Sequence, residues 1–118
     1  MPEKSWNSVE VRFIDRDAVV RDLRQAVAEA KSRYPEIVRV YLFGSFVRGN
    51  WTADSDADLM VVVRRKFSGV LDSERSRYQI FVNSVPTDSL VYSETEFERL
   101  RQDPSSFPAQ NLASAIEL

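Results

Sequence analysis

The stretch YLFGSFVRGNWTADSDADLMVVV, residues 41–63, decides how this chain is read. It continues a β-branched and aromatic run that begins at Ile37 and reads as a strand as far as Phe43. Gly44-Ser45 breaks that strand. Ten residues later come Asp56-Ala57-Asp58 and then Leu59-Met60-Val61-Val62-Val63, an apolar run that reads as a strand covered on both faces. Residues two apart in a strand point to the same face, about 6.5–7 Å apart along the chain. Asp56 and Asp58 therefore offer two carboxylates to one side, where a buried strand begins. Unpaired charge at such a place costs several kcal/mol, roughly, and so suggests a cation between them.

Gly44-Ser45 supplies a complementary half. A glycine just past a strand lets the backbone approach a ligand closely. The Ser45 hydroxyl and the N–H groups after it suit an anion if they open a helical turn. A phosphate donor facing a metal-binding acid pair is the setting for phosphoryl or nucleotidyl transfer. Three other motifs fail. Asp54, Asp56 and Asp58 imitate the start of a calcium-binding EF-hand loop, but Leu59 stands where that loop needs glycine and Arg65 where it needs glutamate. Residues 44–49 lack the middle glycine of a kinase loop, because Phe46 occupies it. Asn50 after Gly49 breaks the Walker pattern.

Composition narrows the chemistry. The 118 residues contain no cysteine and no histidine. That excludes disulfides, thiol nucleophiles, Cys or His zinc sites and imidazole acid–base catalysis. An oxygen-only site favours Mg²⁺ or Mn²⁺. With 43% hydrophobic and 29% charged residues the chain has ordinary globular composition, and its length suits one domain. Its net charge of −2 does not suggest a nucleic-acid coat. No apolar run approaches the roughly 20 residues of a membrane helix, and residues 1–8 lack a signal-peptide core. A cytoplasmic protein without membrane contact is the expectation.

The remaining elements follow from periodicity. Residues 9–13 alternate apolar and charged and read as a short strand. Residues 15–34 carry Val19, Val20, Leu23, Ala26, Val27, Ala30 and Tyr34 at helical spacing, and Pro35 stops the helix. Residues 71–82 fit either element. The helix is favoured, with Asp72 or Ser73 as cap. Thr87 to Tyr92 reads as a strand. Ser93-x-x-Glu96 is a capping box that opens a helix through Gln102. Leu112 and Ile116, four apart, suggest a short last helix. Arg64-Arg65-Lys66 reads as a solvated strand end. Tyr92, Phe97 and Leu100 read as core. The order implies a mixed α/β fold, a small sheet with helices against it.

Gly44-Ser45, the ten-residue spacing and Asp56-x-Asp58 resemble the signature of the polymerase-beta-like nucleotidyltransferase superfamily. The words LFGSFVRG and SDADLMVVV are similar to its minimal nucleotidyltransferase (MNT) branch. The resemblance covers roughly residue 15 onward, within a single expected domain of residues 1–118, and implies a small mixed sheet flanked by helices. It implies that Gly44 and Ser45 hold the nucleoside triphosphate, with Arg48 touching phosphate. Asp56, Asp58 and Asp88 would bind Mg²⁺, and Asp88 would also act as base toward the acceptor hydroxyl. Two features depart from the pattern: Thr87 replaces an apolar residue, and the family leads one to expect no strand at residues 9–13.

Relatives that modify small molecules usually add a helical acceptor domain, and only thirty residues follow Asp88 here. The resemblance therefore points to an acceptor recognised through a partner or an oligomer. In the MNT branch the partner is an all-helical HEPN ribonuclease toxin, and some members transfer AMP from ATP to a toxin tyrosine. The leading expectation is such an Mg²⁺-dependent antitoxin, with nucleic acid not its direct substrate. The alternatives are a non-catalytic antitoxin on the same fold and a small-molecule nucleotidyltransferase acting as a homo-oligomer.

Overall fold

The structure, a computed structural model, describes residues 15–118. The strand expected over residues 9–13 lies outside them. Helix α1 (Arg16–Arg33) starts where the Asp15 side chain accepts hydrogen bonds from the N–H groups of Asp17 and Ala18, at 3.0 and 3.3 Å. Its buried residues Val19, Leu23 and Val27 recur every four positions and form one stripe. Tyr34 closes the helix, with its N–H on the Ala30 carbonyl.

Strand β1 (Ile37–Phe43) runs antiparallel to β2 (Ala57–Val63), and the four-residue helix α2 (Ser45–Arg48) lies between them in sequence. Strand β3 (Thr87–Ser93) pairs parallel with β2, in register from Ala57↔Thr87 to Val63↔Ser93. Strand β4 (Ile116–Glu117) pairs antiparallel with β1, giving the order β3-β2-β1-β4. The parallel pair needs a long crossover. Residues 64–86 supply it, carrying a 3-10 helix (Ser73–Tyr78).

Every residue from Leu59 to Val63 is fully buried, as a strand with two covered faces requires. Leu59, Val61 and Val63 pack with Val40 and Leu42 toward α1. Met60 and Val62 face the opposite way, toward Phe97 of helix α3 (Glu94–Arg101). Phe97 is itself fully buried, with ring centroids of Tyr41 and Tyr92 at 5.7 and 5.8 Å. The capping box of α3 is present in full: Ser93 Oγ accepts from Glu96 N–H, and Glu96 Oε1 accepts from Ser93 N–H. The small mixed sheet flanked by helices is the expected fold class.

Four expectations need correction. Residues 71–82 form only a six-residue 3-10 helix, and the chain is extended from Gln79. The Ile80 N–H bonds to Ser89 Oγ, and its carbonyl accepts from Thr87 Oγ1, so β3 claims this segment. Thr87 thereby serves the strand without an apolar side chain. The last helix, α4 (Phe107–Leu112), stops before Ile116, which pairs with Leu42 in β4. The free edge of β1 is a better partner for Ile116 than another helical turn. Arg65 is half-buried rather than solvated: its Nη1 donates to Tyr78 Oη at 3.1 Å, and its guanidinium lies over the Phe67 ring. Leu100 is only partly buried, so the core in this helix is Phe97.

Candidate active site

The site is assembled where β1 ends and β2 begins. The antiparallel register sets Phe43 opposite Asp58, so the next residue, Gly44, turns directly over the Asp58 side chain. Gly44 has φ 87° and ψ −151°, a backbone region open essentially to glycine alone. A Cβ at this position would collide with the Asp58 carboxylate. Gly44 is thus required twice, by its torsion angles and by the closeness of that carboxylate.

Ser45 opens α2, whose turn is held by Val47 and Arg48 N–H groups on the Gly44 carbonyl, both at 3.0 Å. Phe46 anchors the turn from below: it is fully buried and stacks on Trp51 at 6.2 Å. On the approach to Asp56, the Thr52 N–H donates to Ser55 Oγ at 2.7 Å, and the Ser55 N–H donates to the Thr52 carbonyl at 3.1 Å. These local bonds close the turn while Thr52, Asp54 and Asp56 stay exposed.

Asp88 arrives from the other side. The parallel register sets it opposite Asp58, and the Ala57 N–H donates to the Pro86 carbonyl at 2.9 Å to fix where the two strands start. Asp56 and Asp88 are exposed, and Asp58 is half-buried. Partial burial pushes the Asp58 carboxyl above the ordinary aspartate value, the Asp88 and Asp56 charges push it further, and the Arg48 charge opposes them. The structure thus brings Asp56, Asp58, Asp88 and Arg48 into one electrostatic neighbourhood beneath the Gly44-Ser45 turn.

The donor chemistry suits a hard divalent cation: three carboxylates, oxygen only, with like-charge repulsion centred on the most buried one. No group of three or more acids among the described residues is drawn tightly enough to form a finished metal cage. The site is a rim of acids around one half-buried member.

Two contributors escaped the sequence reading. Arg16 Nε donates to the Phe46 carbonyl at 2.7 Å, joining α1 to α2 across thirty residues. An available signal was a cation in the first turn of a helix, where the helix dipole disfavours it. The second is a groove of about 680 Å³ between β3, α3 and the crossover, whose lining includes none of Asp56, Asp58 and Asp88. Leu90, two residues from Asp88, lines it with Val70 and Leu71, and all three are exposed. Among the described residues no helix is long and apolar enough to cross a membrane.

Comparison with known proteins agrees with this arrangement. A family model described as a nucleotidyltransferase domain matches residues 23–110. A protein of Methanocaldococcus jannaschii named "putative protein adenylyltransferase" is 31% identical over 67 residues, covering 53% of this chain and 67% of that protein. The crystal structure of a "putative nucleotidyltransferase" from Sulfolobus solfataricus superposes with a TM-score of 0.52 at 28% identity, covering 76% of this chain and 84% of that one. The matched span contains the Gly44-Ser45 turn and all three aspartates, and the chain belongs to the nucleotidyltransferase domain family.

Proposed function

We propose that this nucleotidyltransferase transfers AMP from ATP to a tyrosine hydroxyl of a helical, HEPN-type partner protein, and so acts as an antitoxin. The observation that carries the reading is the placement of Asp58, with Gly44 against its carboxylate and Asp88 opposite it. A phosphate-accepting turn and an acid set meet there. The protein-modifying direction is supported by the name of the M. jannaschii relative and by an exposed groove lined by Ser89 and Leu90 of β3, the strand that carries Asp88.

In this reading Ser45 and the α2 turn take the triphosphate, with Arg48 beside its phosphates. Mg²⁺, held by Asp56, Asp58 and Asp88, would supply positive charge against the triphosphate oxygens. Asp88 accepts the proton of the acceptor hydroxyl. The acceptor oxygen bonds to the α-phosphorus, the bond from that phosphorus to the bridging oxygen of the β-phosphate breaks, and pyrophosphate leaves with that electron pair. The partner's apolar surface lies in the groove lined by Leu90, Val70 and Leu71.

The test is incubation with α-labelled ATP, Mg²⁺ and a co-encoded helical protein. Label is expected on that protein. Absence of label there and on small hydroxylated acceptors would reject the enzymatic reading. Label on a small acceptor without any partner would replace the protein acceptor with a small-molecule one. Full toxin neutralisation by the triple D56N/D58N/D88N variant would reduce the protein to a binding antitoxin.

A further inference from the structure

We infer that Arg16 is a positioning residue for nucleotide binding: it clamps the main chain of α2 at Phe46, within the turn that carries Ser45 and Arg48. The inference rests on the proposed function for its catalytic meaning, and on geometry for the clamp itself.

A four-residue helix cannot satisfy its own last carbonyls. In α2 the Gly44 carbonyl accepts from Val47 and Arg48, and the Ser45 carbonyl from Gly49. The next carbonyl, that of Phe46, is taken by Arg16 Nε at 2.7 Å. A guanidinium at the C-terminal end of a helix also meets the favourable end of its dipole. Among the described residues Arg16 has little else to hold it: its ion pair to the neighbouring Asp17 is 3.6 Å long, and Asp17 is almost fully exposed.

The turn has a second anchor of a different kind. The Phe46 side chain is buried in the core and stacked on Trp51. That anchor belongs to folding, because its removal would open the core. The Arg16 clamp adds orientation. It fixes the main chain between Ser45 and Arg48, the two residues placed to meet the triphosphate, and touches none of Asp56, Asp58 and Asp88. Loosening it should weaken nucleotide binding while leaving the acid set in place.

The experiment compares the full chain with Arg16→Ala, Arg16→Lys and Asp17→Ala. Amide hydrogen exchange is followed at Val47, Arg48 and Gly49, with thermal midpoint, the dissociation constant for ATP, and KM and kcat for AMP transfer. Arg16→Ala is expected to speed exchange at those three amides about tenfold or more. It should raise Kd and KM for ATP together by about five- to twentyfold, with kcat changed less than threefold. Arg16→Lys, which keeps a donor, should recover part of the loss, and Asp17→Ala should match wild type. Unchanged exchange in Arg16→Ala overturns the clamp. Faster exchange with unchanged Kd and KM overturns its positioning role. A fall in thermal midpoint with kcat and KM degraded alike shows a merely structural residue, which also overturns it. Wild-type protein that binds and transfers no nucleotide, while Arg16→Ala still speeds exchange, refutes the proposed function and the positioning role with it.

Discussion

Asp58 and Asp88 stand directly opposite each other in the parallel pairing of β2 with β3, although thirty residues separate them in the chain. The Asp88 charge adds to burial in pushing the half-buried Asp58 carboxyl above its ordinary value. Repulsion of this kind lowers stability in the empty protein and favours anything positive that can sit between them.

The sign of that effect can be measured. The Asp58 carboxyl titrates above its unfolded value, first through burial and then through Asp88 and Asp56. The folded state therefore holds its proton longer than the unfolded one. The associated stability is full below the ordinary aspartate range and is lost as pH rises through the raised value. Asp58→Asn is expected to be more stable than wild type at pH 7, with the difference vanishing in acid. Urea unfolding of both proteins across this range checks it. A wild type more stable than Asp58→Asn at pH 7 without added cation would contradict it.

Gly44→Ala should be damaging out of proportion to its size. The substitution forces a side chain into a glycine-only backbone region and against the Asp58 carboxylate. A cost of about 1–3 kcal/mol is expected from the backbone alone. Gly49→Ala, also at positive φ (90°) but with open space around it, should cost only about 1–2 kcal/mol and leave nucleotide binding intact. Denaturant midpoints and an ATP titration separate the two.

Arg75 ties the crossover to the sheet. Its two terminal nitrogens reach Glu96 at 3.1 and 2.8 Å, Nη1 also donates to the Val91 carbonyl at 2.7 Å, and the guanidinium lies 4.3 Å from the Phe67 ring centroid. Removing one member of a mostly buried pair leaves the other charge uncompensated. Arg75→Ala is expected to destabilise by about 2–4 kcal/mol in urea unfolding. Arg75 also holds the Glu96 carboxyl below its ordinary value. That stability is present above the unfolded carboxylate range and lost as pH falls through the lowered one, so Arg75→Ala should show a shallower loss of stability in acid than wild type.

Phe97→Ala removes the ring that fills the second core between Tyr41 and Tyr92. A loss of about 3–5 kcal/mol is expected, read as a lower denaturant midpoint.

These residues also show what was legible in the sequence and why. The β1 run, the Gly44-Ser45 break and the Leu59–Val63 run are local signals, and their meaning depends on neighbours in sequence. So does the Ser93–Glu96 capping box. The misread segments are those decided by distant partners. Residues 79–82 leave the helical path because Ser89 and Thr87 of β3 claim Ile80. Ile116 leaves the helix spacing because β1 has an open edge at Leu42. The three aspartates were legible as candidates, but the register that sets Asp88 opposite Asp58 comes from the crossover and from the Pro86 carbonyl bound by Ala57. Arg16 left no periodic trace, since its bond is to a main-chain carbonyl thirty residues away.

In the proposed function the acids beneath Gly44-Ser45 direct attack on the α-phosphorus. Parallel incubations with α-labelled and γ-labelled ATP, Mg²⁺ and a co-encoded helical protein, using wild type and D56A/D58A, read this out. The expected result is α-label on that helical protein, no γ-label on it, and loss of the α-label in the double variant. Transfer of γ-label, or equal α-labelling by D56A/D58A, would contradict it.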